Sequence, residues 1–160
     1  MSLQLEDIVP DFTADTTDGP INLHKWMNGS WPVLFSHPKD FTPVSTADLS
    51  AVAGFNPEFV RRDVKVIGLS VDPLEDNYVW VGDIAETQGY ALHFPMIADA
   101  DRQIAELYGI IHPNADDTLT VRSVFIISPN KTLRPLAIRC QTLGNSLCHQ
   151  ELPEIQISIL

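Results

Sequence analysis

The sequence predicts a three-layer α/β domain in which helices flank a central mixed sheet. Short apolar runs rich in β-branched residues alternate along the chain with longer segments of helical character. This alternation favours strand–helix–strand units with parallel pairing. The last two apolar runs are joined by a turn signal, which adds an antiparallel pair. The chain has 160 residues, 44% of them hydrophobic, and this suffices for the core of one domain.

Five apolar runs predict the strands of this sheet. They cover residues 33–35, 64–71, 95–97, 121–127 and 132–138. The run 64–71 is rich in β-branched side chains and predicts a buried strand. Ser128-Pro129-Asn130-Lys131 separates the last two runs, so we expect these to form a hairpin.

Three segments between the strands predict helices. They cover residues 46–62, 75–87 and 102–108. Pro57 lies inside the first segment and predicts a kink or a break. Gly89 and Gly109 follow the other two segments, as glycine often does after a helix ends. The order of elements fits a thioredoxin-like fold, although the pattern alone is also compatible with other α/β folds.

Composition excludes several classes of partner. The formal net charge is -11 and the isoelectric point is about 4.6, whereas nucleic acids and anionic membrane surfaces attract basic proteins. No stretch approaches the ~18 consecutive apolar residues of a membrane span. The N-terminus lacks the basic start and apolar run of a secretory signal. We therefore expect a soluble cytoplasmic protein that binds neither nucleic acid nor membranes.

The two cysteines, Cys140 and Cys148, are too few and too far apart for a disulfide framework or a Cys-x-x-Cys motif. We expect both cysteines to be reduced thiols. A disulfide that forms under oxidation and a module for disulfide exchange are the less favoured alternatives. Four histidines show no metal-ligand spacing. They are His24, His93, His112 and His149. The sequence predicts neither a metal nor a cofactor.

The segment 35–46 carries the chemistry. It leaves a predicted strand, passes through Pro38 and Pro43, and enters a predicted helix at Ser45. Ligands bind at the carboxyl ends of strands in α/β sheets, and the first turn of a helix stabilises negative charge. A cysteine at such a position would have a lowered pKa and a populated thiolate.

This segment resembles the active-site motif Pro-x-x-x-Thr-x-x-Cys of the peroxiredoxins of AhpC/TSA type. Pro38 and Thr42 match the motif, and Ser45 stands where the peroxidatic cysteine belongs. The flanking residues resemble the 1-Cys subgroup in particular. Further matches lie at residues 68–72, 94–99 and 121–125. The resemblance runs from about residue 3 to residue 135, and its motifs are long and specific.

The resemblance implies a thioredoxin-like, thiol-dependent peroxidase that reduces hydrogen peroxide and organic hydroperoxides. It also implies an external thiol reductant and a homodimer. The implied catalytic positions include Ser45, Thr42 and Pro38. Thr42 would hydrogen-bond the peroxide or the nucleophile, and Pro38 would shield the nucleophile from water. Arg122 would stabilise a thiolate and polarise the O–O bond. The implied substrate-binding residues are His37, beside the nucleophile, Pro43 and Val44.

Ser45 interrupts this mechanism. A serine hydroxyl needs an adjacent general base to act as a nucleophile, and it has no sulfenic acid chemistry. We therefore expect the chain as written to be inactive or nearly so, whether the serine is engineered or natural. A non-catalytic, chaperone-like or binding relative is the alternative function. The alternative reading of Ser45-Thr46-Ala47-Asp48 is a capping box that opens a helix.

Other candidate residues have weaker support. A serine-hydrolase activity on phospholipids would use Ser30, His24 and Asn130, but the flanking glycines of the lipase motif are missing and asparagine replaces the acid. Arg122 in an apolar strand could pair with a core carboxylate, although the cost of burying its charge favours a functional role. Asp99 and Asp101 are expected in a solvated loop and helix cap.

The resemblance fades after Arg134. We predict a domain over residues 1–138 and a divergent tail over residues 139–160. From the resemblance we expect no counterpart here of the smaller C-terminal domain of the 1-Cys subgroup. A truncation or a change of reading frame near residue 139 is one hypothesis, and it affects the dimer geometry more than the site.

Overall fold

The computed structural model describes residues 3–38, 40–89, 91–111 and 122–134. The strands are β1 Thr13–Ala14, β2 Ile21–Asn22, β3 Trp31–Ser36, β4 Val64–Ser70, β5 Met96–Ala98, β6 Ser123–Ile127 and β7 Leu133–Arg134. The helices are α1 Leu23–Met27, α2 Pro43–Gly54, α3 Asn56–Arg61, α4 Leu74–Gln88 and α5 Gln103–Leu107. The predicted tail, Cys140 and Cys148 lie outside the described residues.

The central sheet has five strands in the order β5-β4-β3-β6-β7. Strand β3 pairs in parallel with β4, and β4 with β5, whereas β6 runs antiparallel to both β3 and β7. The predicted mixed sheet and its closing hairpin are therefore confirmed. The fold is thioredoxin-like. A second, two-stranded sheet of β1 and β2 was not predicted, because runs of two residues carry no periodicity.

Pro32 is tolerated in the central strand because of where it lies. The backbone N–H of Trp31 donates to Asp63 on the β4 side of β3, so the nitrogen of Pro32 faces the other side. Pairing with β6 begins only at Val33, which pairs with Ile126. The missing N–H of Pro32 therefore lies at the very end of the β3–β6 ladder and not in its middle.

Apolar side chains form one core cluster on each face of the sheet. Neighbouring residues of one strand contribute to different clusters: Leu34 and Ile67 to one, Phe35 and Val66 to the other. This alternation follows from the twofold repeat of a strand. The second cluster lies under α2 and α4, where Trp80 is fully buried. Helices therefore cover the sheet as the predicted three layers require.

The three predicted helical segments correspond to α2 with α3, to α4 and to α5, although α2 begins three residues earlier than predicted, and α1 was not predicted. The predicted helix over residues 46–62 is interrupted at Phe55, and Pro57 lies in the first turn of α3, so the predicted break is confirmed. Helix α4 ends at Gln88, and Gly89 follows as its C-cap with a φ of 73°, as the sequence predicted. None of the helices within the described ranges is long and apolar enough to cross a membrane.

The expectation that Asp99 is solvated was wrong. Its side chain is buried, and its carboxylate accepts hydrogen bonds from the backbone N–H groups of Ile104 at 3.0 Å and Ala105 at 2.7 Å. Burial raises the pKa of Asp99 above its usual value, although these two bonds oppose the shift. Asp99 is thus a buried cap for α5, and these bonds compensate for its loss of water.

Candidate active site

The chain enters α2 through a capped first turn. Thr42 is the N-cap residue, with an extended backbone, and its Oγ1 accepts a hydrogen bond from the N–H of Ser45 at 3.2 Å. Pro43 follows at the first helical position. An N–H at this position would have no partner within the helix, so its absence in proline costs no hydrogen bond, and the fixed φ of proline suits the helix. Ser45 is therefore the third residue of the helix. The alternative reading of Ser45 as the N-cap was wrong, because Thr42 takes that role.

Loss of this cap has a measurable consequence. We expect Thr42→Ala to lower the free energy of unfolding by about 1 kcal/mol, because the N–H of Ser45 loses its acceptor. Urea denaturation followed by circular dichroism measures this change. Thr42→Ser keeps a hydroxyl and should retain most of the stability. Equal losses in the alanine and serine variants would contradict the role of the Oγ1 cap.

The side chain of Ser45 is fully buried, and its Oγ has no hydrogen-bond partner within the part of the chain that the structure describes. A buried hydroxyl without a partner costs about 1–3 kcal/mol. Such a group in a native structure calls for an explanation. A thiol at the same position would cost less, because sulfur is a weak hydrogen-bonding atom. The surroundings of residue 45 therefore suit a cysteine better than a serine.

A buried histidine and aspartate lie between β3 and α2. The backbone N–H of His37 donates to Leu69 and continues the β3–β4 ladder. Its Nε2 lies 2.6 Å from Oδ1 of Asp40, and both side chains are 2% exposed. Burial raises the pKa of Asp40, and the charge of Asp72 adds to this rise, while the hydrogen bond from His37 opposes it.

Two further residues extend this pair into a network. The hydroxyl of Ser70 lies 3.0 Å from Oδ1 of Asp40 and 2.9 Å from Oδ2 of Asp72. The backbone N–H of Asp40 donates to the same oxygen of Asp72 at 2.9 Å. His37, Asp40 and Asp72 come close enough together for a cation. The oxygens of Asp40 and Asp72 also accept hydrogen bonds, so the three residues form part of one hydrogen-bond network.

Trp80 of α4 connects this network to the first turns of α2. Its ring centroid lies 4.8 Å from that of His37, and its Nε1–H donates to Oγ1 of Thr46 at 3.1 Å. Phe41 also lies near the ring of Trp80, with centroids 6.3 Å apart, and has a φ of 59°. A left-handed backbone at a bulky residue is strained, and such strain clusters at functional sites.

Arg122 also reaches α2. Its Nε donates to Oδ2 of Asp48 at 3.0 Å, and Asp48 lies one helical turn after Ser45. The N–H of Ser123 donates to Oγ of Ser36, which fixes this end of β6 beside the end of β3. Arg122 precedes β6 and its side chain is 48% exposed. The expectation of a buried charge was therefore wrong, and its ion pair with Asp48 is partly solvated.

The remaining predicted residues have different surroundings. Pro38 is partly buried just after the end of β3, and Pro43 is exposed at the start of α2. Val44 lies in α2, but its side chain is outside the described part of the chain. Sequence reasoning missed Asp40, Ser70 and Asp72 as a group. All three lay within the segments that carried the family resemblance, which is the signal that could have found them.

The residues of the alternative hydrolase reading have other partners. The hydroxyl of Ser30 donates to the carbonyl of Met27, and Nε2 of His24 lies 3.0 Å from the carbonyl of Val9. Asn130 is exposed in the turn between β6 and β7. Ser30 thus serves as a turn residue after α1.

Comparison with known proteins identifies the relatives of the chain. The AhpC/TSA family profile matches residues 5–135. A 1-Cys peroxiredoxin of Dictyostelium discoideum is 53% identical over 132 residues, which are 82% of this chain and 55% of that protein. Human Peroxiredoxin-6 is 39% identical over 165 residues, with coverage of 98% and 73%. The chain therefore spans about half the length of the first relative and about three quarters of the second.

Two solved structures share the fold. A cysteine-to-serine mutant of the Peroxiredoxin 6 of Arenicola marina has a TM-score of 0.79 and 40% identity, covering 84% of this chain and 64% of that chain. A yeast mitochondrial 1-Cys peroxiredoxin has a TM-score of 0.78 and 42% identity, covering 90% and 71%. The thiol resolving mechanism of that yeast protein runs via glutathione/thioredoxin systems.

Proposed function

The chain belongs to the AhpC/TSA family, and from this premise we propose that it has the framework of a 1-Cys thiol peroxidase whose reactive cysteine position is occupied by Ser45. The observation that carries the proposal is the environment of this residue. Ser45 is fully buried in the first turn of α2, and its Oγ has no partner among the residues that are described. The first turn of a helix favours an anion, and a thiolate is the anion that this family would place there.

The reaction proposed for a cysteine at position 45 balances without a metal or a cofactor. The thiolate attacks one peroxide oxygen, the O–O bond breaks, and the departing alkoxide or hydroxide takes up one proton. The products are a sulfenic acid and an alcohol or water. Two equivalents of an external thiol then return the sulfenic acid to the thiol and release water and a disulfide. Serine cannot enter this cycle, so the chain as written is inactive or nearly so.

The neighbouring residues have distinct roles in this proposal. Thr42, which already accepts the N–H of Ser45, hydrogen-bonds the peroxide or the nucleophile. Arg122, anchored by Asp48, stabilises the thiolate and polarises the O–O bond. Pro38 shields the nucleophile from water. Pro43, Val44 and His37 are the substrate-binding residues that the family resemblance implies.

The wider biological setting is also part of the proposal. Hydrogen peroxide and organic hydroperoxides are the substrates, and a small or protein thiol is the reductant. A homodimer in the cytoplasm is the expected form. The net charge of -11 supports the expectation that nucleic acids and anionic membranes are not partners.

Stopped-flow measurement of peroxide consumption by the Ser45→Cys variant, beside the chain as written, tests this function. Rapid consumption only by the cysteine variant supports the proposal. A correctly folded cysteine variant that does not react would overturn it, and a non-catalytic binding role would then be the function to examine.

A further inference from the structure

We propose that His37, Asp40 and Asp72 form a binding site for one divalent transition-metal ion, and that Zn²⁺ is the ion that suits it best. One ligand atom of each residue lies within 4.8 Å of those of the other two. His37 and Asp40 are buried, and Asp72 is partly buried. This inference goes beyond the proposed function, because it concerns the chain as written and does not involve residue 45.

Three separate segments bring these ligands together. His37 follows the last residue of β3, Asp40 lies before α2, and Asp72 follows the last residue of β4 by two positions. Strands β3 and β4 are parallel neighbours, so both end at the same edge of the sheet, where α/β sheets bind ligands. Asp40 and Asp72 are 32 residues apart in the sequence. No local spacing therefore indicates the site, which is why the sequence predicted no metal.

One oxygen of Asp40 is the observation that points to a bound ion. The side chain is 2% exposed, yet its Oδ2 has no hydrogen-bond partner among the described residues. Its Oδ1, in contrast, lies 2.6 Å from Nε2 of His37 and 3.0 Å from the hydroxyl of Ser70. A buried carboxylate oxygen without a partner is costly, and native structures keep such atoms where an ion or a function accounts for them.

The two carboxylates also compete for one hydrogen. The hydroxyl of Ser70 lies 3.0 Å from Oδ1 of Asp40 and 2.9 Å from Oδ2 of Asp72, but it carries a single hydrogen. It can therefore donate fully to only one of the two oxygens. Two carboxylates this close repel each other, and a divalent ion bound to both replaces that repulsion by attraction.

The ligand atoms determine which ion fits. One imidazole nitrogen with two carboxylates suits Zn²⁺, whereas Mg²⁺ and Ca²⁺ prefer oxygen ligands alone. Zn²⁺ binds these atoms at about 2.0–2.2 Å in a tetrahedron, so its ligand atoms lie about 3.3–3.6 Å apart. The 2.6 Å contact of His37 with Asp40 is shorter than this and the 4.8 Å limit is longer. Movements of about 1 Å in these side chains therefore suffice to form the site.

The ion takes the place of a hydrogen. It lies where the hydrogen between Nε2 of His37 and Oδ1 of Asp40 lies now, because a metal-bound imidazole nitrogen carries no hydrogen. The second oxygen of Asp40 or a water molecule completes the four ligands. A bound ion joins the ends of β3 and β4 to the segment that leads into α2, and it stabilises the folded chain.

Isothermal titration calorimetry with Zn²⁺ on the chain as written is the first test. We expect one ion per chain, and a melting temperature about 5 °C higher when Zn²⁺ is at about a hundred times its dissociation constant. Asp72→Asn should weaken binding about tenfold or more, since it removes a charged ligand. Asp72 is only partly buried, so this change disturbs folding least. No binding of Zn²⁺, or an equal affinity in Asp72→Asn, would overturn the proposal.

Two controls separate this site from other places where Zn²⁺ can bind. Asp99→Asn replaces a buried aspartate that caps α5 and should leave the affinity unchanged. The double change Cys140→Ser and Cys148→Ser removes thiols, which are good zinc ligands, and should leave it unchanged as well. If the double variant no longer binds Zn²⁺, the ion is held by the cysteines and the proposal fails.

Visible absorption of bound Co²⁺ gives a second measurement that identifies the ligands. Imidazole and carboxylate ligands give weak visible bands without the strong near-ultraviolet band of thiolate ligands. His37→Gln removes the nitrogen ligand and should abolish these bands, so it also tests the site if Asp72→Asn does not fold. Bands that persist in His37→Gln would refute the assignment. Peroxide reduction by Ser45→Cys is measured separately, and its failure would leave the metal site intact.

Discussion

Ser45→Cys is expected to convert the chain from a protein without measurable peroxide reduction into a fast peroxidase. The reason is that a cysteine in the first turn of α2 should ionise more readily than an ordinary cysteine. An ordinary cysteine with a pKa of about 8.5 is only a few per cent thiolate at neutral pH, whereas cysteines at helix N-termini reach pKa values of ~3.5–7.5. The gain in thiolate alone is therefore about thirtyfold over an ordinary cysteine when the pKa falls to ~6. In the proposed mechanism Arg122, which pairs with Asp48, would add transition-state stabilisation to this gain.

Ser50→Cys is the matched control for this experiment. Ser50 is a second buried serine on the same helix, and its hydroxyl donates to the carbonyl of Thr46. A cysteine there has similar burial but lies beyond the first turn, where the helix dipole no longer favours an anion. Stopped-flow peroxide consumption should be fast in Ser45→Cys and at background in Ser50→Cys. Similar rates in the two variants would show that the position on the helix contributes nothing.

Trp80→Ala is expected to cause the largest loss of stability among single changes near the site. Trp80 is fully buried in the cluster under α2 and α4, and its N–H holds Thr46. Truncation of a buried tryptophan costs about 3–5 kcal/mol, through lost burial and the cavity left behind. The melting temperature should fall by about 10 °C. Urea denaturation followed by circular dichroism measures the change, because that signal does not depend on the tryptophan removed.

Two further variants give losses of stability against which that of Trp80→Ala can be compared. Val79→Ala changes the neighbouring residue of α4, which is 63% exposed, and should change the stability by less than about 0.5 kcal/mol. Trp80→Phe keeps an aromatic ring against His37 but removes the N–H bond to Thr46, so its loss should lie between the other two. A loss in Trp80→Ala no larger than that in Val79→Ala would contradict the packing role.

The parts of the fold that the sequence predicted are those with strong local signals. Strand β4 carries a β-branched run, and Gly89 ends α4 in a left-handed conformation that suits glycine. The start of α2 was misplaced because two local patterns compete there. Thr42-Pro43 provides a cap and a proline at the first helical position, while Ser45-Thr46-Ala47-Asp48 imitates a second cap. Only the folded backbone decides between the two patterns.

The site was predictable where it follows the motif and not where it depends on distant contacts. The motif placed Thr42 and Ser45 in one helical turn, and the structure agrees. The anchoring of Arg122 by Asp48 joins the residue before β6 to α2, so no local pattern shows it. The network around Asp40 likewise draws on two further segments of the chain, and the burial of Asp99 depends on how α5 packs.

The register of β3 has a consequence for how the protein folds. One neighbour of β3 is β4, the next strand in the chain, but the other is β6, and the paired residues Val33 and Ile126 are roughly ninety residues apart. Closing such a long loop is entropically costly and slow. Arg122 reaches α2 only once this pairing is made. During synthesis the surroundings of residue 45 therefore remain incomplete until β6 has emerged.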